Sequence, residues 1–258
     1  MRLRRAPLLS RPNAMPLPLC YINLARDEER RARIESELRR LCLQGDRIDA
    51  VWWAGVPTAQ QSALYSEALN RRQYYKPLVA GEKGCYASHL VAWQKLLDST
   101  APAMIVLEDD IRLDDRFLEV TDAIAQLEEP WDMVKLMGRE HEKVRAHRPL
   151  TAGTELVEYR RIPSMTAGYV VSRSGAAKLL ASRKPFGRPI DVDLRFWWEN
   201  DLRILGVVPP VLILDDTSLV SSIGQKPPRL GVGAKWRKFR MKLRLTALNA
   251  WHQVRPPR

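Results

Sequence analysis

An α/β fold, with a sheet that is parallel at least at its start, is predicted by three features of this 258-residue chain. Five apolar residues, Ala103–Leu107, read as a strand buried on both faces. Just before it, Tyr86, Leu90, Trp93 and Leu97 recur at i, i+4, i+7 and i+11, one face of a helix over Glu82–Asp98. Strand-like and helix-like segments alternate along most of the remaining chain.

The elements follow in order. Leu17–Leu24 reads as a first strand with Asn23 near its end. Asp27 opens an acidic first turn, and Ile34, Leu38 and Leu41 recur at helical spacing. Val51–Trp53 is expected as a second strand, stopped by Gly55 and Pro57, and Thr58–Tyr75 as helical and then irregular. After the strand at 103–107, a helix is expected over Asp115–Glu128 and a strand over Trp131–Met137. Gly138–Gly153, polar and basic, reads as an exposed loop. Glu155–Ile162 and Met165–Ser172 read as strands, and Ser174 as the cap of a short helix over Ala176–Ala181. Pro185–Pro189 reads as a loop. Val207–Leu214 reads as one last apolar strand, whose Pro209 and Pro210 place it at an edge.

Glu108, Asp109 and Asp110 stand where the 103–107 strand should end. Buried carboxylates without partners are costly, so such a cluster needs solvent, cations or a metal. Ligands of open α/β sheets collect at the carboxyl ends of strands, and acids there suit a hard divalent cation gripping a phosphate. The competing reading is an acidic turn leading to the next helix near Asp114 and Asp115.

Composition narrows the classes. Cys20, Cys42 and Cys85 form no CxxC or Cys/His cluster, so neither a zinc site nor a disulfide framework is indicated. Reduced thiols in a cytoplasmic protein fit best. No segment has the ~20 apolar residues of a membrane helix. Residues 1–15 are broken by prolines and read as a flexible leader or an upstream extension, not a signal peptide. The net charge of +12 favours anionic partners. No helix-turn-helix, zinc-finger or RNA-binding signature accompanies it, so no specific nucleic-acid partner is expected.

Three segments together resemble glycosyltransferase family 25, the lipopolysaccharide-biosynthesis glycosyltransferases that also include collagen galactosyltransferases. They are Tyr21-Ile-Asn-Leu24 with Arg30 and Arg31; Gly81-Glu-Lys-Gly-Cys-Tyr-Ala-Ser-His-Leu90 with Trp93, running into Ile105-Val-Leu-Glu-Asp-Asp-Ile111; and Thr166-Ala-Gly-Tyr-Val-Val-Ser172 with Gly175 and Ala176, leading to Pro189-Ile-Asp191. The resemblance spans roughly Pro18–Gly224, setting a transferase domain at 16–224 between the leader and a tail at 225–258. It implies a GT-A-type, Rossmann-like nucleotide-sugar-binding fold with a mixed, largely parallel sheet. It also implies inverting transfer of a hexose, commonly galactose from UDP-galactose, with Mn²⁺ or a similar divalent ion. The acceptor so implied is a glycolipid or oligosaccharide of the cell envelope.

On that footing Glu108 and Asp110 are the metal candidates, although a strict Asp-x-Asp is absent because Glu108 holds the first place. Asp109 is a candidate for ribose or sugar hydroxyls. Asp191 is the candidate general base, with Asp193 and Glu199 as rivals. Asn23, Arg31, Ser88 and His89 are donor-site candidates. Arg31 reads equally as a solvated residue beside Glu35, and His89 as a hydrogen-bonded core residue. Trp197 and Trp198 offer aromatic faces to an acceptor sugar, or core. Arg139, Lys143, Arg145 and Arg148 would steer a phosphorylated acceptor or simply be solvated.

In the tail, a helix over Lys235–Trp251 would put Trp236, Phe239, Leu243, Ala247 and Ala250 on one side, flanked by basic residues, with Arg240 intruding and Leu245 opposite. This suits an anionic membrane surface at the inner face of the cytoplasmic membrane, a helix packed on the domain, or a free basic tail. A non-catalytic glycan-binding or adhesion protein is the competing function; the retained acids at 108–110 argue against it.

Overall fold

The computed structural model describes residues 17–138, 142–214 and 231–254. The expected leader at 1–15, Arg139 and the expected boundary at 224/225 lie outside the described residues.

Strand β1 (Leu19–Asn23) is buried throughout. Helix α1 (Glu28–Arg40) carries Glu28 and Glu29 in its first turn and Arg39 and Arg40 in its last, complementing the helix dipole, and buries Ile34 and Leu38. The second strand is β2 (Asp46–Asp49), not Val51–Trp53. Only Ile48 of β2 is buried, because the strand lies at the sheet edge with its charged residues in solvent. Trp53 instead begins a single 3₁₀ turn. Two short helices follow, α2 (Thr58–Leu64) and α3 (Glu67–Gln73), and then α4 (Ala80–Asp98), which buries Tyr86, His89, Leu90 and Trp93.

The apolar run forms β3 (Ala103–Glu108). Beyond it come β4 (Ile111–Leu113), α5 (Phe117–Ala125), β5 (Met133–Lys135), β6 (Val144–Thr151), β7 (Thr154–Tyr159), β8 (Gly168–Ser172), α6 (Arg173–Ser182) and α7 (Ile190–Asp193). The chain ends with β9 (Ile204–Val208), β10 (Leu212–Leu214) and α8 (Val232–Val254).

Three local expectations are corrected. Most of the supposed loop 138–153 is β6, hairpin-paired with β7 at the outer edge of the sheet. Its basic residues are not free: Arg145 pairs with Glu158, His147 with Glu155 and Arg148 with Glu129. Ser172, not Ser174, caps α6 by accepting from the Gly175 N–H at 3.1 Å; the Ser174 hydroxyl donates to Asp132. The expected last strand is two strands: β9 lies inside the sheet between β5 and β7, and β10 pairs with β4. Pro209 and Pro210 fall between them, where no ladder N–H is needed.

The main sheet runs β2-β1-β3-β8-β5-β9-β7-β6. Neighbours are parallel across β2–β1–β3 and between β5 and β9, and antiparallel elsewhere, the expected mixed α/β sheet of a GT-A-like, Rossmann-type fold. Alternation along β3 builds a core on each face. Met104 and Val106 join Leu90, Trp93 and Leu96 of α4; Ile105 and Leu107 join Ile34 and Leu38 of α1 and Phe117, Val120 and Ile124 of α5.

Candidate functional site

The site is a bend at the carboxyl end of β3. Glu108 is the last residue of the ladder, level with Ile22 of β1, and its N–H donates to Ala167 O at 2.8 Å. The chain then bends through Asp109 and Asp110 into β4, which lies outside the main sheet and pairs with β10. The three carboxylates border a cleft of about 270 Å³, whose other walls include Leu24, Trp52, Gly81 and Gly84.

Each carboxylate has a different environment. Asp109 is pinned: Asn23 Nδ2, at the end of β1, donates to it at 2.7 Å, and Arg30 of α1 donates at 3.2 Å. Burial still raises its pKa, against the pull of those two donors. Burial would also raise Glu108, but hydrogen bonds from His89 (3.3 Å) and Thr166 (3.1 Å) outweigh it and hold the carboxyl below its ordinary value. Asp110 has weaker help, from Arg30 Nη1 at 3.9 Å from its Oδ2. Burial, then the charge of Glu108, pushes its pKa up to about 6, and its Oδ1 is buried without a hydrogen-bond partner.

The bond from His89 comes through a chain of buried groups. Trp93 Nε1, which can only donate, gives its proton to the Tyr169 oxygen at 2.9 Å. The Tyr169 O–H therefore donates to His89 Nδ1 at 2.8 Å, which leaves the His89 proton on Nε2, facing Glu108. Both bonds that Glu108 accepts fall on Oε1.

Among the described residues, two sets at this bend could hold a metal. Cys85, His89 and Glu108 bring ligand atoms within 4.8 Å of one another. Thiol and imidazole suit a softer ion, however; burial holds the Cys85 thiol well above its ordinary pKa, and His89 Nε2 is already turned to Glu108. Glu108 with Asp110 is an all-oxygen set with an orphaned buried oxygen, which fits a hard divalent cation.

Asp191, on α7, is half-buried, and its pKa is raised by burial against the Val192 N–H and the charges of Lys135 and Arg195. A carboxylate raised in this way is suited to taking up a proton. Asp193 differs. It is buried between the Arg188 Nε (2.6 Å) and Arg183 Nε (2.9 Å) and accepts from the Tyr86 hydroxyl at 2.6 Å. Glu199 shares both arginines. Asp193 and Glu199 therefore anchor the turn that carries Asp191.

The remaining sequence candidates fall as follows. Arg30, not Arg31, reaches the acids; Arg31 Nε pairs with Glu35 at 2.8 Å, one helical step round α1. The Ser88 hydroxyl joins Val51 N to Gly84 O inside the wall of the cleft. A Cβ on Gly84 would stand 2.4 Å from Val51 O, so glycine there lets α4 press against the loop bearing Trp52. Trp197 and Trp198 face α8: Trp197 Nε1 donates to Asn249 at 3.1 Å, and Trp198 stacks on His252. Trp197 also lines a separate cavity of about 620 Å³ with Trp131, Leu202 and His252. Sequence reasoning did not single out Cys85, Thr166 or Tyr169; only their places in the family-like segments marked them.

Comparison with known proteins meets this geometry. The family described as Glycosyltransferase family 25 (LPS biosynthesis protein) matches residues 18–194, which contain β1, the acidic bend and Asp191. The chain belongs to glycosyltransferase family 25. Human Procollagen galactosyltransferase 2 is 31% identical over 179 residues, 67% of this chain and 28% of that protein. A Glycosyltransferase 25 family member of Drosophila pseudoobscura pseudoobscura is 29% identical over 197 residues, covering 72% and 31%. The Bos taurus Probable inactive glycosyltransferase 25 family member 3 is 28% identical over 197 residues, covering 72% and 33%. This family-25 chain thus matches about a third or less of the length of these relatives.

Proposed function

We propose that this chain is a hexosyltransferase that moves galactose from UDP-galactose, with inversion, to a lipopolysaccharide, lipooligosaccharide or related cell-envelope glycan. The observation that carries the reading is the orphaned Asp110 oxygen beside an ionised Glu108 at a strand's carboxyl end. A divalent ion such as Mn²⁺, held by Glu108 and Asp110, would supply positive charge to a departing diphosphate.

The chain's own residues do the rest. Asn23 and Arg30 fix Asp109, which is thereby placed to accept from ribose or sugar hydroxyls. Asp191 takes the proton of the acceptor hydroxyl as that oxygen bonds to the anomeric carbon. The bond from that carbon to the diphosphate oxygen breaks, and UDP leaves with its electron pair. Arg183, Arg188 and Tyr86 hold Asp193, and with it the short helix that presents Asp191. The cellular place we infer is cytoplasmic and peripheral on the inner membrane face; three free cysteines and the basic, apolar surface of α8 support it.

UDP release from a panel of UDP-sugars, with Mn²⁺ or EDTA, tests the reading on wild type and Asp110→Asn. Selective, Mn²⁺-dependent release from UDP-galactose that the variant lacks is expected. Absence of both release and donor binding favours a glycan-binding protein that keeps the fold without catalysis, a reading that the inactive name of one relative keeps in view.

A further inference from the structure

Helix α8 has two opposite stripes, and among the described residues only one of them is packed. At 3.6 residues per turn, Met241, Leu245, Asn249 and His252 share one side. That side docks: Leu245 and Asn249 are buried, Met241 packs on the main core, Asn249 Nδ2 donates to Arg160 O at 2.7 Å, and His252 stacks on Trp198. The opposite side carries Trp236, Phe239 and Leu243, which are 60%, 55% and 58% exposed. Trp236 and Phe239 stack on each other, with ring centres 5.6 Å apart. A helix that needed only to pack on the domain would not present its largest apolar side chains outward.

Charge selects the occupant. Lys235 and Lys242 stand on one shoulder of the outward stripe and Arg240 on the other, and α8 contains no acidic residue. Apolar rings between rows of cations match a bilayer interface, where the rings enter the acyl boundary and the cations meet anionic headgroups. We infer that the Trp236–Phe239–Leu243 face of α8 docks the folded protein on an anionic membrane surface, while the Leu245–Asn249 face holds the helix to the domain.

The docked position also relates α8 to the cleft. Arg237 Nε donates to Tyr75 O at 3.4 Å, and Lys238 lies 5.0 Å from the Tyr75 ring centre. Tyr75 leads into the segment before Ala80 and Gly81, which line the cleft. The docked α8 thus touches the segment that leads into α4, whose first residues line the cleft. This inference rests on α8 alone and not on the transferase chemistry, so it is tested without donor, acceptor or metal.

The test is co-sedimentation of the full chain with vesicles of phosphatidylglycerol and phosphatidylcholine, and with phosphatidylcholine alone. Wild type is expected to bind the anionic vesicles, more weakly as salt rises. The triple variant Trp236→Ala/Phe239→Ala/Leu243→Ala should bind them about tenfold or more weakly, with unchanged circular dichroism because the three side chains are exposed. Lys235→Gln/Arg240→Gln/Lys242→Gln should lose a similar factor. Brominated lipid should quench wild-type fluorescence more than that of Trp236→Phe. Equal binding by the triple variant, equal binding to neutral vesicles, or equal quenching of Trp236→Phe overturns the inference. So does sedimentation velocity showing a wild-type dimer that the triple variant lacks, since a second copy would then cover the face.

Discussion

Tyr169 and His89 are joined by a 2.8 Å hydrogen bond from the phenol to Nδ1, although 80 residues of chain separate them. The bond crosses from β8 to α4 and fixes which histidine nitrogen faces Glu108. Because Trp93 already donates to the same phenol, Tyr169→Phe strips a partner from two buried groups at once. A loss of about 1–3 kcal/mol of stability is expected, from leaving buried polar groups unsatisfied. Glu108 should also become less well oriented, so Mn²⁺ should bind several-fold more weakly by calorimetry. Wild-type Mn²⁺ affinity in Tyr169→Phe would show that the chain of hydrogen bonds serves packing alone.

Asp110 gives a pH prediction whose sign is fixed. Its folded-state pKa is about 6, above the ordinary value of 3.8. Between these values the folded state binds more protons than the unfolded state, so this group's contribution to stability falls as pH rises through that window. At neutral pH the metal-free protein bears the full cost of an ionised Asp110 beside Glu108, up to about 3 kcal/mol. Asp110→Asn should therefore raise the Tm of the metal-free protein at pH 7, and the gain should shrink towards pH 4. Mn²⁺ should raise the Tm of wild type and not of the variant. A variant less stable than wild type at pH 7 would mean that Asp110 is satisfied without a cation.

The two aspartates of α7 should separate cleanly. Asp193→Ala removes one of the two carboxylates that Arg183 and Arg188 share, leaving Glu199 to serve both, and a loss of about 3–5 kcal/mol is expected in urea unfolding. Asp191→Asn touches no such network. It should keep the fold and lower kcat by about 10²–10⁴-fold in a transfer assay. Comparable unfolding midpoints for the two variants would contradict these assignments.

What the sequence made legible follows from what its patterns report. The strand at 103–108 was readable because it is buried on both faces, and its acids because they break the run abruptly. Strand β2 was not, because an edge strand with one buried residue leaves no apolar signature. The sequence shows Arg30 and Arg31 side by side; only the phase of α1, fixed by Ile34 and Leu38 against the sheet, decides that Arg30 reaches the acids. Asp191 and Asp193 look alike in sequence, and the arginines that separate their roles come from the chain just before α7. Leu245 stands opposite the apolar side of the tail in sequence because α8 has a second, docked face, which its burial shows.

Gly84 tests whether the wall of the cleft is set by close contact of backbone. Alanine there would put Cβ 2.4 Å from Val51 O, and the obstacle is backbone, not the end of a flexible side chain. Either α4 or the 50–53 loop must move. That movement strains the pair of bonds that Ser88 makes to Val51 N and Gly84 O, and it shifts Trp52 at the cleft's rim. Gly84→Ala should cost about 1–3 kcal/mol, as overpacking does elsewhere. Donor affinity should fall. Ser88→Ala serves as the control: it loosens the same loop without the clash, so weaker donor binding with a smaller stability loss is expected. If Gly84→Ala binds UDP-sugar as wild type does, the loop bearing Trp52 is not part of the donor site.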